Sequence, residues 1–210
     1  MTPPDLPTAL GPVLQLLDLA AIAVFAVSGA LLAAERRQTL VTFLFFAVVT
    51  GVGGGTVRDL LIGAPVFWIA QNGYLLICSV AALLVWLSPA RWWRGRALDW
   101  FDAAGLAAYA TYGAAKGLAF GVAPLPALVM GVLTGCLGGI IRDVLAGEPS
   151  ILMRPELYVT AAALSAALMV GLSLIGIPPA VASAVAALAG FALRGAAIAR
   201  GWALPGYPGR

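Results

Sequence analysis

Residues 51–63 read GVGGGTVRDLLIG, and residues 135–147 read GCLGGIIRDVLAG. Matched positions, such as Gly54 and Gly138, lie 84 residues apart. The same offset, without a gap, also pairs Asp18 with Asp102, Gly29 with Gly113, Pro65 with Pro149 and Tyr74 with Tyr158. A constant offset of this kind indicates an internal repeat, and each copy places glycines and an Arg-Asp dipeptide inside a long apolar run.

The composition predicts a membrane protein. Of the 210 residues, 62% are hydrophobic and 10% are charged, whereas a soluble domain has about a quarter charged residues. The net charge of +3 is too small to indicate a nucleic-acid partner. Histidine is absent, which excludes histidine triads and histidine-ligated metals. Cys78 and Cys136 lie in apolar runs and are interpreted as packing residues.

Seven apolar runs are candidates for membrane-spanning helices, which need about 20 apolar residues each. They cover residues 13–34, 40–62, 74–87, 103–120, 125–146, 157–175 and 180–199, and the third needs residues 69–73 to reach full length. The sequence therefore predicts one all-α polytopic membrane domain over residues 1–210. Repeat one covers about 13–87, repeat two about 99–175, and a seventh helix at about 180–199 lies outside the repeat.

The distribution of arginines predicts the orientation. With the N-terminus outside, ten arginines fall on the inner side and only Arg58 and Lys116 on the outer side, as the positive-inside rule requires. The ten are Arg36, Arg37, Arg91, Arg94, Arg96, Arg142, Arg154, Arg194, Arg200 and Arg210. We therefore expect a multi-pass protein of the cell (inner) membrane with a cytoplasmic C-terminus.

Each repeat holds three helices, so the second copy enters the membrane from the opposite side. Inverted repeats of this kind build transport pathways near the membrane midplane. The bilayer lipids are then expected partners.

The glycines are the first candidate site residues. Each interior glycine costs a helix about 1 kcal/mol relative to alanine, so Gly53, Gly54 and Gly55 are expected to bend or unwind the second span. Gly138 and Gly139 are expected to do the same in the fifth. Freed carbonyl groups would then face a narrow aqueous path and offer oxygen ligands to a cation. The alternative is that these small residues serve close helix packing.

The Arg-Asp dipeptides are the second candidate. Charges inside spans are costly and usually face a cavity or a partner. Because neighbouring residues point about 100° apart on a helix, Arg58 is not expected to pair with Asp59. The expected pairs are Asp18 with Arg58 and Asp102 with Arg142, and a pairing of Arg58 with Asp143 stays open. A purely structural role, in which these charges lock helices together, also stays open.

Further polar residues are candidates for lining a path. They are Ser28, Thr50, Tyr109, Tyr112, Lys116 and Thr134. Lys116 replaces Leu32 of the first repeat and is expected either to act as a gate or to extend to the surface. Thr50 and Thr134 have an alternative role in bonding their own helix backbone. No carboxylate pair, nucleotide-binding loop or metal-ligand cluster is recognised, so neither an enzyme nor a metal site is predicted.

The chain resembles the prokaryotic branch of the trimeric intracellular cation (TRIC) channels from about residue 14 to residue 199. The resemblance rests on the seven spans, the repeat, and the motifs GGGTVRD at 53–59 and GGIIRD at 138–143. It implies a homotrimer with an hourglass pore in each protomer, kinked second and fifth spans, and potassium-permeable conduction of monovalent cations without a cofactor. One departure is Leu137, which stands where the first repeat has Gly53.

Two other functions are compatible with the same pattern. A secondary transporter of a small amino acid or metabolite also uses inverted repeats and broken helices. A membrane assembly factor would need neither conduction nor uptake. The channel hypothesis requires Arg58 and Arg142 to lie on opposite sides of the bilayer.

Overall fold

A computed structural model describes residues 6–93 and 95–207, and Arg94 and Arg210 lie outside these residues. The described residues form eight α-helices and no β-sheet. The helices are α1 (Leu6–Glu35), α2 (Leu40–Leu61), α3 (Phe67–Ala70), α4 (Gly73–Leu87), α5 (Ala97–Ala119), α6 (Pro124–Leu145), α7 (Val159–Leu174) and α8 (Pro179–Arg200). Two short 3-10 turns, Ala90–Trp93 and Ile151–Met153, lie in the connections.

Each of the seven predicted runs coincides with one helix, and α3 is additional. The sequence joined residues 69–73 to the third span, but α4 starts only at Gly73 because Gln71 has an extended backbone (φ −139°, ψ 112°). Four helical segments are long and apolar enough to cross a membrane: Gly11–Glu35, Leu40–Leu61, Pro124–Leu145 and Pro179–Arg200. Helices α4 and α7 are apolar but shorter, with 15 and 16 residues.

Helix α5 is a buried helix rather than a uniformly apolar one. It carries Asp99, Asp102 and Lys116, and it packs against α1, α6, α7 and α8. Helix α1, its counterpart in the first repeat, packs against α2, α4, α5 and α8. The two helices that lie at the centre of the fold are therefore equivalent members of the two repeats.

The ends of α2 and α6 have the same local structure. After each Arg-Asp pair the chain reaches a glycine with positive φ, 67° at Gly63 and 71° at Gly147. Just beyond, the backbone N–H of Ala64 donates to the carbonyl of Asp59, and that of Glu148 donates to the carbonyl of Asp143, both at 2.9 Å. A left-handed glycine that closes the last helical turn is a common helix C-cap.

Replacing Gly147 by alanine is expected to destabilise the protein, because an L-residue in the left-handed region costs about 1–2 kcal/mol. The matched control is Gly73→Ala, where φ is not positive and nothing lies within 4 Å of the added methyl group. Thermal unfolding of the purified protein in detergent should show a lower melting temperature for Gly147→Ala only. Equal melting temperatures for the two variants would contradict this explanation of the turn.

Candidate functional site: two buried ion clusters and a glycine crossing

Helices α2 and α6 touch backbone to backbone at two matched glycines. A methyl group added at Gly54 would lie 2.2 Å from the carbonyl oxygen of Thr134, and one added at Gly138 would lie 2.5 Å from that of Thr50. No side chain fits at such distances. The contact is reciprocal, because each helix provides one glycine and one threonine carbonyl. We call this contact the Gly54–Gly138 crossing.

The order of these contacts gives the direction of the helices. Gly54 meets Thr134, whereas Thr50 meets Gly138, so the two helices run in opposite directions where they touch. Arg58 follows Gly54 by four residues and Arg142 follows Gly138 by four residues, which is about 6 Å along each helix. The two arginines therefore lie toward opposite ends of the crossing.

The expectation that the glycines unwind their helices is wrong. Both α2 and α6 are continuous through Gly53–Gly55 and through Gly138 and Gly139. Close packing, the alternative left open, describes Gly54 and Gly138 better. The close approach of a second backbone is available only without a side chain, and packing against that backbone offsets the low helix propensity of glycine.

The remaining glycines of the motif differ from one another. A methyl group at Gly53 would meet only the end of the Ile141 side chain, at 3.4 Å, which is an ordinary contact. At Gly55 it would lie 2.7 Å from the Phe67 ring, and at Gly139 it would lie 2.5 Å from the Tyr158 hydroxyl.

The first ion cluster lies beyond Gly54 and consists of Asp18, Arg58, Asp59, Tyr112 and Lys116; we call it the Lys116 cluster. Asp59 Oδ1 accepts from Arg58 Nε at 2.8 Å and from Lys116 Nζ at 2.7 Å. The guanidinium carbon of Arg58 lies 5.1 Å from the centre of the Tyr112 ring, which is a cation–π distance. Arg58 Nη1, Arg58 Nη2 and Asp18 Oδ1 have no hydrogen-bond partner among the described residues.

The second ion cluster lies beyond Gly138 and consists of Ser28, Asp102, Arg142, Asp143 and Tyr158; we call it the Asp102 cluster. Arg142 Nη1 donates to Asp102 Oδ1 at 2.6 Å and to Ser28 Oγ at 2.8 Å. Arg142 Nε and Nη2 both donate to Asp143 Oδ1, at 2.9 and 2.7 Å. Arg142 therefore connects α6 to both α1 and α5.

Both clusters are anchored by the same backbone bond. The N–H of Phe67 donates to Asp59 Oδ2 at 3.2 Å, and the N–H of Ile151 donates to Asp143 Oδ2 at 3.1 Å. Phe67 and Ile151 are themselves 84 residues apart. Each carboxylate thus holds the chain segment that follows its own helix.

The sequence-based expectation that Arg58 does not pair with Asp59 is wrong, and the same holds for Arg142 and Asp143. The 100° separation describes where side chains leave the helix, but arginine is long enough to fold back to its neighbour. The expected pair of Asp102 with Arg142 is present. Within the described residues, Asp18 makes no ion pair with Arg58, and Arg58 makes none with Asp143.

Lys116 does not extend to the surface, which was one of its two expected roles. It is 1% exposed and bound to Asp59. Tyr109 donates to the carbonyl of Gly51 at 3.0 Å, so it supports α2 close to the crossing. Thr134 Oγ1 donates to the carbonyl of Met130 at 2.6 Å, as the alternative role for this threonine predicted.

Two cavities border the clusters. The Lys116 cavity, of about 320 Å³, is lined by Asp18, Tyr74, Tyr112 and Lys116 among others. The Asp102 cavity, of about 180 Å³, is lined by Asp102, Arg142 and Asp143 among others. Their linings match at five repeat positions: 15 and 99, 18 and 102, 67 and 151, 70 and 154, and 116 and 32. The two cavities therefore occupy equivalent places in the two repeats, and the crossing lies between the clusters that border them.

Sequence reasoning missed two features of this region. Tyr158 was noted only as the repeat partner of Tyr74, yet its ring lies beside Arg142's cluster and under the guanidinium of Arg194, 5.5 Å away. Arg194 of α8 is buried and pairs with Glu156 at 2.5 Å. The available signal was a lone arginine inside an apolar run, which membrane burial makes costly without a partner.

Comparison with known proteins adds three findings. The family model described as "Glycine transporter" matches the chain twice, at residues 15–89 and at residues 99–173. A UPF0126 membrane protein of Vibrio cholerae is 46% identical over 155 residues, covering 70% of this chain and 63% of that protein. This chain thus spans less than two thirds of that relative. The UPF0126 inner membrane protein YadS of Escherichia coli is 43% identical over 148 residues, covering 69% of this chain and 72% of YadS.

A solved structure matches the whole fold. It is the TRIC trimeric intracellular cation channel orthologue from Rhodobacter sphaeroides, with a TM-score of 0.84 and 40% sequence identity. The match covers 91% of this chain and 100% of that chain.

The fold and the site together define a helical membrane protein with two equivalent buried ion clusters on either side of a glycine crossing. The chain belongs to the prokaryotic branch of the TRIC family, which the family model describes as "Glycine transporter".

Replacing Gly54 by alanine is expected to separate α2 from α6, because the methyl group would meet a backbone carbonyl that cannot rotate away. Overpacking of this kind costs about 1–3 kcal/mol or more. Gly53→Ala is the matched control, since its methyl group meets only the flexible Ile141 side chain. The melting temperature in detergent should fall for Gly54→Ala and stay unchanged or rise for Gly53→Ala. The reverse order would exclude the crossing as a stabilising contact.

The two clusters should differ in their response to loss of a cation. Arg142→Met leaves Asp102 and Asp143 buried without a positive partner in their cluster, and a broken buried pair costs about 3–5 kcal/mol. Lys116→Met leaves Arg58 beside Asp59, so a smaller loss is expected. Thermal unfolding of both variants measures the difference. An equal or larger loss for Lys116→Met would contradict this assignment of charges.

Proposed function

We propose that this protein is a passive channel for monovalent cations, permeable to potassium, with one pathway in each protomer. The pathway runs through the Lys116 cavity, past the Gly54–Gly138 crossing and into the Asp102 cavity. The observation that carries the proposal is the match over a whole chain, at 40% identity, to a protein described as a TRIC trimeric intracellular cation channel orthologue.

The arrangement of charges supports a cation pathway. A bare arginine would repel a cation, but Arg58 and Arg142 are each held by a carboxylate, at 2.8 and 2.7 Å. Asp18 and Asp102, one at each cavity, retain an oxygen without a hydrogen-bond partner in the described part of the chain. Paired arginines therefore fix the helices, while the free carboxylate oxygens give both cavities a field that favours cations.

The crossing is the proposed constriction. The backbones of α2 and α6 meet between the two clusters with no room for a side chain. Movement of one helix against the other would open a route between the cavities without the need for an unwound helix. Gly53, Gly54, Gly55, Gly138 and Gly139 shape this narrow region, and Ser28, Thr50, Tyr109 and Thr134 are its polar neighbours.

The proposed architecture follows from the same evidence. Seven spans form an inverted repeat, with α8 outside it, and the antiparallel contact of α2 with α6 supports this arrangement. The two matches of one family model begin 84 residues apart, which supports the repeat. A homotrimer is proposed from the trimeric R. sphaeroides protein. The arginine distribution supports an N-terminus outside the inner membrane, with the surrounding lipids as partners.

A secondary transporter of a small amino acid is the second candidate, because the matching family model is described as "Glycine transporter". A transporter needs a binding site that is open to one side at a time. The two cavities and the crossing do not exclude this arrangement. The functional experiment must therefore measure both ion current and glycine uptake.

Planar bilayers containing the purified protein should show unitary current steps in potassium chloride. With a potassium chloride gradient, the reversal potential should lie close to the potassium equilibrium potential and far from that of chloride. Replacing potassium by a large organic cation should abolish the steps.

Proteoliposomes from the same preparation are the control for transport. Labelled glycine should not accumulate above the level in protein-free liposomes. Saturable glycine uptake without unitary steps would establish the transporter instead. Liposomes impermeable to both potassium and glycine would favour the assembly factor.

A further inference from the structure

The two clusters are built alike but carry different charges. The Lys116 cluster contains two cations, Arg58 and Lys116, and two carboxylates, Asp18 and Asp59. The Asp102 cluster contains the two matching carboxylates but only one cation, Arg142. The position that matches Lys116 is Leu32, which also lines the Asp102 cavity. One buried carboxylate of the Asp102 cluster thus lacks a matching positive charge.

The surroundings of the Asp102 cluster do not restore the balance. The charged residues that line its cavity are five carboxylates and three arginines: Glu35, Asp99, Asp102, Asp143 and Glu148, with Arg96, Arg142 and Arg154. Arg96 is paired with Asp99 at 2.7 Å, and the nearby Arg194 is paired with Glu156. Arg36 pairs with Glu148. The cavity therefore keeps an excess of negative charge.

Asp102 has the free ligand atom. Its Oδ1 accepts from Arg142, whereas its Oδ2 has no hydrogen-bond partner in the described residues, and the residue is 1% exposed. The Tyr158 hydroxyl is equally buried and equally without a partner there. A methyl group at Gly139 would lie 2.5 Å from the Tyr158 hydroxyl and 3.1 Å from Asp102 Oδ1, so both groups border the space beside Gly139.

We propose that the Asp102 cluster binds one monovalent cation, with Asp102 Oδ2 and the Tyr158 hydroxyl as protein ligands. In the Lys116 cluster, the ammonium group of Lys116 supplies the charge that the bound ion supplies here. The inference rests on the proposed function, because the ion is taken to be the one that permeates. It adds a specific resting position on one side of the crossing and no equivalent position on the other.

The chemistry of the site selects a monovalent ion. Burying an unpaired carboxylate is costly, and one positive charge is sufficient to neutralise the excess in the cluster. A divalent ion prefers several charged oxygen ligands. In the part of the chain that the structure describes, no three His, Cys, Asp or Glu side chains are arranged to hold a metal ion.

Thallium, an electron-rich substitute for potassium, tests the site directly. Crystals of the full chain grown with a thallium salt should show an anomalous peak beside Asp102 and Tyr158. Asp102→Asn keeps the size of the side chain and an oxygen that can accept from Arg142, and this variant should lose the peak. Asp18→Asn, its counterpart in the other repeat, should retain the peak at Asp102.

Two outcomes would overturn the site: no peak at Asp102 in the unchanged protein, or a peak that persists in Asp102→Asn. Single-channel recording gives an independent measure in protein that elutes as a single species. The half-saturating potassium concentration should rise about tenfold in Asp102→Asn and less in Tyr158→Phe, which removes a ligand without a change of charge. Unchanged saturation in both variants would reject the site while leaving the channel in place. An absence of unitary current in the unchanged protein would reject the proposed function, and the thallium peak would still decide binding.

Discussion

The contact of α2 with α6 at the Gly54–Gly138 crossing is the constraint on which the rest of the structure depends. Two helices that approach so closely can do so only where both lack a side chain, and the reciprocal threonine carbonyls fix their register. Register and direction together send Arg58 and Arg142 to opposite ends. The two ion clusters, and the two cavities beside them, therefore take their positions from a contact between backbones.

Charge then stabilises what the crossing has placed. Each arginine is buried beside a carboxylate on its own helix, and that carboxylate also holds the next chain segment through a backbone N–H. Arg142 extends this network to α1 and α5, whereas Lys116 connects α5 to α2. Such pairs are weak evidence for net stability, but they are costly to break. They therefore keep the helices around the cavities in one arrangement.

Much of this could be predicted from the sequence, because the repeat is visible without a structure. The offset of 84 residues identified the equivalent glycines, the equivalent arginines and the pair of Asp102 with Arg142. The state of the glycine segments could not be predicted, since the helix propensity of Gly53–Gly55 is a local quantity and the opposing helix decides the outcome. The pairing of Arg58 with Asp59 was also missed, because the direction of a helix position does not limit the reach of a long side chain. Lys116 was left between two roles, as nothing in the sequence placed it beside Asp59.

The departures from the repeat are as informative as the matches. Where the first repeat has Ser28 and Leu32, the second has Tyr112 and Lys116. Ser28 accepts a hydrogen bond from Arg142, but Tyr112 offers its ring to Arg58, which leaves both terminal nitrogens of Arg58 without hydrogen-bond partners among the described residues. A scaffold with equivalent halves therefore has unequal ends: one is neutralised by its own lysine, and the other keeps an excess carboxylate. Because the backbone contacts are matched and the charges are not, any difference between the two ends of the pathway must come from these few side chains.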